Sequence, residues 1–233
     1  MTEQRVAMVT GATGGLGRVL VPDLAADGWG LVLVGSSQER LDGLVADAGI
    51  DAEQTATVVA DLRDQAAATA AVDAAYERFG RVDALAHLVG GWTGGIHVGR
   101  SPDDPYRDMI DQHFWTSLNV VRELAPRMID AGFGRIAAVS SPMAGTPDAG
   151  MSAYGVGKAA QETLFSALAQ EVAGTGVTVN VVRVRAIDTS AGEDGSDQAY
   201  ATSPAEISAA VRYLFSDAAR MVNGERIGLH GGR

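Results

Sequence analysis

Short apolar runs alternate with helical patterns along the chain, and this alternation constrains the fold more than any other feature. The runs 5–10, 31–34, 55–60, 84–89, 134–140 and 178–184 are almost continuously apolar and read as strands, with a short last strand at 226–229. Helical patterns separate them, to about Asp27 and then over 38–48, 65–79, 104–130, 152–173 and 205–216. A strand apolar on both sides is buried on both faces. Such strands alternating with helices predict a doubly wound parallel α/β sheet with helices on both faces. At 233 residues the chain suits one such domain over 1–233. Ligands of these sheets bind beyond the carboxyl ends of the strands. Thr10, Gly35, Asp61, Val89, Ser141 and Ile187 are expected at those ends.

The first strand runs into Thr10-Gly11-Ala12-Thr13-Gly14-Gly15-Leu16-Gly17 and then into a helix. Glycines let the backbone turn tightly and approach a ligand, and the helix N-terminus presents N–H groups to phosphate. The order strand, glycine turn, helix therefore points to a dinucleotide. The second strand ends at Gly35-Ser36-Ser37. A carboxylate there would bond the ribose hydroxyls of NAD and repel a 2′-phosphate. None is present, two hydroxyls can donate, and Arg40 follows a turn later. NADP (NADPH) is thus favoured, with NAD possible.

Tyr154 and Lys158 stand four apart at the front of an Ala-rich helical run, so both side chains share one helix face. A free tyrosine is a poor acid-base group, with a pKa near 10. An adjacent ammonium favours the phenolate and draws that pKa towards the working range. Ser141 ends a strand thirteen residues earlier, where its hydroxyl can steady a substrate oxygen.

The composition excludes several classes. There is no cysteine, so neither disulfides nor thiolate metal sites form, and a reducing cytoplasm fits. The formal charge of −11 opposes nucleic-acid and anionic-membrane partners. No signal peptide and no run of membrane-spanning length is expected.

Together these motifs resemble the short-chain dehydrogenase/reductase family over nearly the whole chain. Thr10-Gly11-x-x-x-Gly15-x-Gly17 is similar to its cofactor turn, and Asp61 to its adenine-contacting aspartate. Ser141, Tyr154 and Lys158 match its catalytic set. Ile187-Asp188-Thr189 resembles its nicotinamide-holding segment, and Asn223-Gly224-Glu225 with Gly231-Gly232 its C-terminal pattern. The resemblance implies a Rossmann-type fold and hydride exchange between a nicotinamide and a small-molecule ketone, aldehyde or secondary alcohol. Ser141 would bond the substrate oxygen, Tyr154 exchange a proton with it, and Lys158 hold the ribose. Gly11, Thr13, Gly15, Leu16, Gly17, Ser36, Ser37, Asp61, Leu62, Val89, Gly90, Ile187 and Thr189 would contact the cofactor with Tyr154 and Lys158. A homotetramer or homodimer, paired through the helices after strands four and five, is also implied.

The sequence departs from the family at several places. Asn-Asn-Ala-Gly is replaced by His87-Leu88-Val89-Gly90, with His87 expected in the core. Pro-Gly after strand six is replaced by Val184-Arg185. The helix asparagine that holds a relay water aligns with His113, a neutral imidazole that can take over proton supply or pack against Phe114 and Trp115. Asn119, six residues on, faces elsewhere. The stretch 189–203 is short and acidic where the family has a lid, leaving an open pocket lined by Trp92, Met143, Met151 and Trp115. Arg183 and Arg185 alternate with valines. Arg185 would meet the cofactor, an anionic substrate, or Glu193 and Asp194. These departures keep a cofactor-sensing protein and a non-redox lyase open as alternatives.

Overall fold

The computed structural model describes residues 4–187 and 201–230. Seven strands form one sheet: β1 (Val6–Thr10), β2 (Gly30–Gly35), β3 (Thr55–Val59), β4 (Ala84–His87), β5 (Gly134–Ser140), β6 (Val177–Arg183) and β7 (Arg226–Gly228). Their order is β3-β2-β1-β4-β5-β6-β7, and every pairing is parallel. Beyond β1 the order reverses towards β4, so a crevice opens between the carboxyl ends of these two strands. Glycine turn and β4 loop meet there.

The helices are α1 (Gly17–Ala26), α2 (Gln38–Ala48), α3 (Gln65–Phe79), α4 (Asp104–Ile110), α5 (Thr116–Asp130), α6 (Ser152–Glu171) and α7 (Pro204–Phe215). Alternate strand residues feed two apolar layers. Met8, Val32, Leu85 and Ile136 pack under α3, α5 and α6, with Val72, Leu124 and Phe165. Ala7, Val9, Leu31 and Leu33 pack under α1, α2 and α7, with Leu20, Leu41 and Phe215. Burying both faces is why these strands lack polar alternation. Caps set several helix starts: Ser37 accepts from the Arg40 N–H, Asp64 from the Ala67 N–H, and Ser203 forms a reciprocal box with Glu206.

The run 104–130 is continuous but not uniform. Between α4 and α5, Asp111–Trp115 forms a π turn, in which the Thr116 N–H reaches back to the Asp111 carbonyl. Such turns insert a residue into the helix and re-aim its side chains. His113 is the buried residue of this turn. The hydrophobic pattern does not reveal the extra residue, because the helix resumes in phase with the core.

Candidate active site

The glycine turn holds its shape by close approach. Gly11 has φ +71°, and a Cβ there would stand 3.0 Å from Leu88 C and Val89 N of the neighbouring loop. A Cβ on Gly17 would lie 2.1 Å from the Ala12 carbonyl oxygen, so α1 can start only with glycine at that position. The side chain of Leu16 goes into the core. A cleft of about 390 Å³ lies over this turn, lined by Gly11, Thr13, Gly14, Ser36, Asp61, Leu62, Val89 and Gly90 among others. Backbone N–H groups and the absence of side chains suit it to a dinucleotide, so these residues fit the cofactor that the sequence implied.

Two arginines that line the cleft also tie it together. Arg40 donates from Nη2 to the Thr13 carbonyl at 3.0 Å. Arg63 grips Asp61 in a fork, with Nε–Oδ1 at 2.9 Å and Nη2–Oδ2 at 2.6 Å. The Arg63 hydrogen bond holds the Asp61 carboxyl below its usual range. Sequence reading missed Arg63, although its place two residues after Asp61 was a usable signal. Ser37 Oγ caps α2, and Ser36 beside it lines the cleft.

Across the crevice, Ser141 sits just past β5, and its Oγ accepts from the Met143 N–H at 3.3 Å. Tyr154 lies in the first turn of α6 and Lys158 in the next. Gly157 between them is needed for packing, since a Cβ there would stand 2.6 Å from the Met109 carbonyl and 3.0 Å from His113 Cδ2. The rings of His113 and Tyr154 meet edge to face at 5.6 Å. Burial raises the Tyr154 pKa, and a hydrogen bond with Ser141 opposes the rise. This departs from the expected lowering by Lys158. Lys158 is itself buried, and desolvation brings its pKa down to about 7 against a smaller pull upward from Glu162. Its Nζ donates to the Val139 carbonyl at 2.9 Å and to Gln161 Oε1 at 3.1 Å.

His113 faces Tyr154, whereas Phe114 and Trp115 meet each other edge to face at 5.1 Å. Its Nε2 pairs with the Gly91 carbonyl at 3.0 Å. A carbonyl only accepts, so Nε2 carries the proton and Nδ1 keeps its lone pair. Burial, then the Lys158 charge, lowers the His113 pKa to about 3, so the ring is neutral at pH 7. Nδ1 is buried without a partner. A Cβ on Gly90 would lie 3.0 Å from that nitrogen and 3.7 Å from Lys158 Nζ. Only glycine at residue 90 therefore lets this loop pass so close to the histidine and the lysine.

His87 is a core residue, as expected. Nδ1 pairs with Thr10 Oγ1 at 2.9 Å and Nε2 with Thr116 Oγ1 at 3.4 Å. Asn119 lies away from the crevice and donates to the Leu62 and Arg63 carbonyls at 3.0 and 3.1 Å. Arg183 turns from the crevice to α6, where Arg183 and Arg226 both bond Glu162. Arg185 is exposed. Trp92 and Met151 come together over Gly94, whose added Cβ would touch both. Ile187 bridges to Thr202. Asp188, Thr189, Glu193, Asp194, Gly231, Gly232 and most of the 189–203 stretch lie outside the described residues.

The sequence profile of the short chain dehydrogenases matches residues 5–199. The chain belongs to the short-chain dehydrogenase/reductase family. It is 31% identical over 245 residues to the acetoacetyl-CoA reductase of Acinetobacter sp. (strain RA3849), covering 100% of this chain and 98% of that protein. It is 28% identical over 241 residues to the 3-oxoacyl-acyl-carrier-protein reductase FabG of Salmonella typhimurium, covering 99% and 97%. The structure of levodione reductase superposes with a TM-score of 0.89 at 26% identity, over 98% of this chain and 96% of that one. This short-chain dehydrogenase/reductase is therefore an oxidoreductase of a family that uses nicotinamide cofactors. Among the described residues no helix is long and apolar enough to cross a membrane, and no cluster of metal-ligating side chains occurs.

Proposed function

We propose that the crevice reduces a ketone or aldehyde to the alcohol, and runs the reverse oxidation, with Tyr154 as general acid and base. The observation that carries this reading is the placing of Tyr154: edge-on to His113, near enough to Ser141 for that hydroxyl to oppose the rise in its pKa, and one helical turn from buried Lys158. A nicotinamide held by the glycine turn would supply or take up the hydride. Ser141 donates its hydroxyl proton to the substrate oxygen and orients the carbonyl. Tyr154 gives its phenolic proton to that oxygen as charge develops on it. The burial that raises the Tyr154 pKa keeps the phenol protonated at pH 7, the form that reduction needs. Lys158 turns its remaining N–H towards the ribose and stabilises the phenolate once the proton has left. The bare Nδ1 of His113 could accept from a water, which would give Tyr154 a route for reprotonation.

Several finer assignments follow the same reasoning. Two reductases of 3-oxo thioesters among the relatives make β-keto thioesters the first substrates to test. Ser36, Arg40 and Arg63 at the adenosine end of the cleft, with no carboxylate closing β2, favour NADPH over NADH. A homodimer or homotetramer would cover the apolar groove that Leu118, Val121, Ile129 and Leu164 form between α5 and α6. Cytoplasmic placement agrees with the cysteine-free sequence.

The test is cofactor oxidation with a panel of ketones, aldehydes and β-keto thioesters, using NADPH and NADH in parallel. The expected result is turnover of at least one carbonyl, faster with NADPH. Cofactor binding without turnover of any carbonyl or alcohol would point instead to the sensing role.

A further inference from the structure

Lys158 is the only lysine in the 233 residues, and arginine supplies every other basic side chain of the Lys and Arg types. It is also buried, and a chain of buried polar groups holds it. Lys158 Nζ donates to Gln161 Oε1 at 3.1 Å. Gln161 Nε2 donates to Ser117 Oγ at 3.0 Å. Ser117 Oγ donates to the His113 carbonyl at 2.6 Å. Gln161 and Ser117 are completely buried. The direction of the chain is forced at both ends, because an ammonium only donates and a carbonyl only accepts. Gln161 must therefore turn its oxygen to the lysine and its amide N–H to the serine.

A buried glutamine stabilises little compared with an apolar side chain of the same size, since its amide must be desolvated and fully paired. Core packing alone does not call for it. The chain instead links the amine of α6 to the π turn that carries His113, so lysine and histidine are set by one network.

We propose that Gln161, locked in orientation by Ser117, is the positioning residue for Lys158, holding its Nζ in the crevice and favouring the ammonium over the free amine. The inference rests on the proposed reading of Lys158 as the group that meets ribose and phenolate. The other groups around Lys158 do not replace this acceptor. Glu162, on the same helix, is clamped by Arg183 from β6 and Arg226 from β7. His87 from β4 and His113 from the π turn are neutral at pH 7. Tyr154 is held protonated by burial. Among the described residues, Gln161 and the Val139 carbonyl are the groups that accept directly from Nζ.

The single lysine makes the test selective. Lysine labelled with ¹³C at Cε gives one side-chain signal, whose pH titration reads Lys158 directly, with or without cofactor. In Gln161→Met the signal should titrate roughly one pH unit lower, the loss of one hydrogen bond to a charged group. Gln161→Glu should shift it upward, and Ser117→Ala downward by less than Gln161→Met. The alkaline limb of kcat/KM should move with the titration in each variant. Loss of packing alone would not move Met and Glu variants in opposite directions. Titration unchanged in all three, or shifted the same way by Met and Glu, overturns the proposal. If Gln161→Met does not fold, an unmoved titration in Ser117→Ala overturns it. If the parent turns over no carbonyl, the reaction reading fails while the lysine titration still decides this one.

Discussion

On the β1–β3 side of the crevice the working surface is backbone: a turn of glycines, bare N–H groups, and arginines paired at the rim. On the β4–β6 side it is side chains, with Lys158, His113, Gln161 and Ser141 all buried. The two sides relate stability to function in opposite ways. The glycine turn serves packing and ligand with the same atoms, so damage to one damages the other. The other side carries a desolvated amine and an unpartnered imidazole nitrogen, which the proposed reaction would use and folding does not. Stability and activity are expected to trade there.

The largest effect should come from Lys158→Met. Activity should fall by roughly two to four decades, while the cofactor-free protein melts at a higher temperature than the parent. Burial lowers the pKa of the parent amine from its ordinary 10.5 to about 7, so between these values the unfolded chain holds a proton that the folded chain has lost. Parent stability should therefore rise from pH 7 towards pH 10, and Lys158→Met should lose that slope. A variant that loses both activity and melting temperature breaks the comparison.

Gly17→Ala tests the other side. Its Cβ would meet backbone at 2.1 Å, not a flexible side-chain end. Overpacking of this kind costs about 1–3 kcal/mol. Thermal melts and cofactor titration should show stability and affinity falling together. Retained affinity in a destabilised variant would separate what the account joins.

Acid should act mainly on the catalytic side. His87 and His113 are neutral in the fold, with burial the main cause in both and pKa values of about 3. Below pH 6.5 the unfolded chain gains their protons and the fold does not, so stability is lost as pH falls from 6.5 towards 3. At pH 5 the loss is about 2 kcal/mol for each histidine. Glu162 loses its contribution only below the carboxylate range, which leaves pH 5–6.5 to the histidines. Urea midpoints across that window should show a slope smaller by about one proton in His113→Asn. An unchanged slope would mean that His113 is not the neutral buried group described.

The smallest effect should be at the rim. Arg40→Ala should reduce the preference for NADPH over NADH by roughly two- to fivefold, as expected for one exposed charge. Dissociation constants for both cofactors provide the check, and an unaltered ratio would leave Arg40 a structural strut to Thr13.

This contrast also explains how much could be read from the sequence. Helices 38–48 and 65–79 and the parallel sheet were legible because apolar periodicity and caps are local signals. The glycine turn was legible because glycine has few other uses between a strand and a helix. Ser141, Tyr154 and Lys158 were legible by spacing. Their environment was not. The spacing of Tyr154 and Lys158 predicts an ammonium that lowers the tyrosine pKa, but burial of Tyr154 itself raises it. Gln161 and Ser117 looked like ordinary helix residues, since the chain joining them crosses from α6 to α5. The π turn was invisible because its neighbours keep the helical pattern. Arg183 was read as sharing a side of β6 with Arg185, but its partner was not legible, because Glu162 reaches it from a different element.

The central claim, hydride transfer to a carbonyl carbon with Tyr154 supplying the proton, is tested most directly by isotope transfer. Nicotinamide cofactor deuterated at C4 is mixed with the best carbonyl substrate, and the product alcohol is analysed for deuterium at its carbinol carbon. The account predicts label at that carbon with the parent, and in Tyr154→Phe label formation slower by roughly two to four decades with cofactor affinity retained. Unlabelled product from the parent, or label formed at the parent rate by Tyr154→Phe, would contradict it.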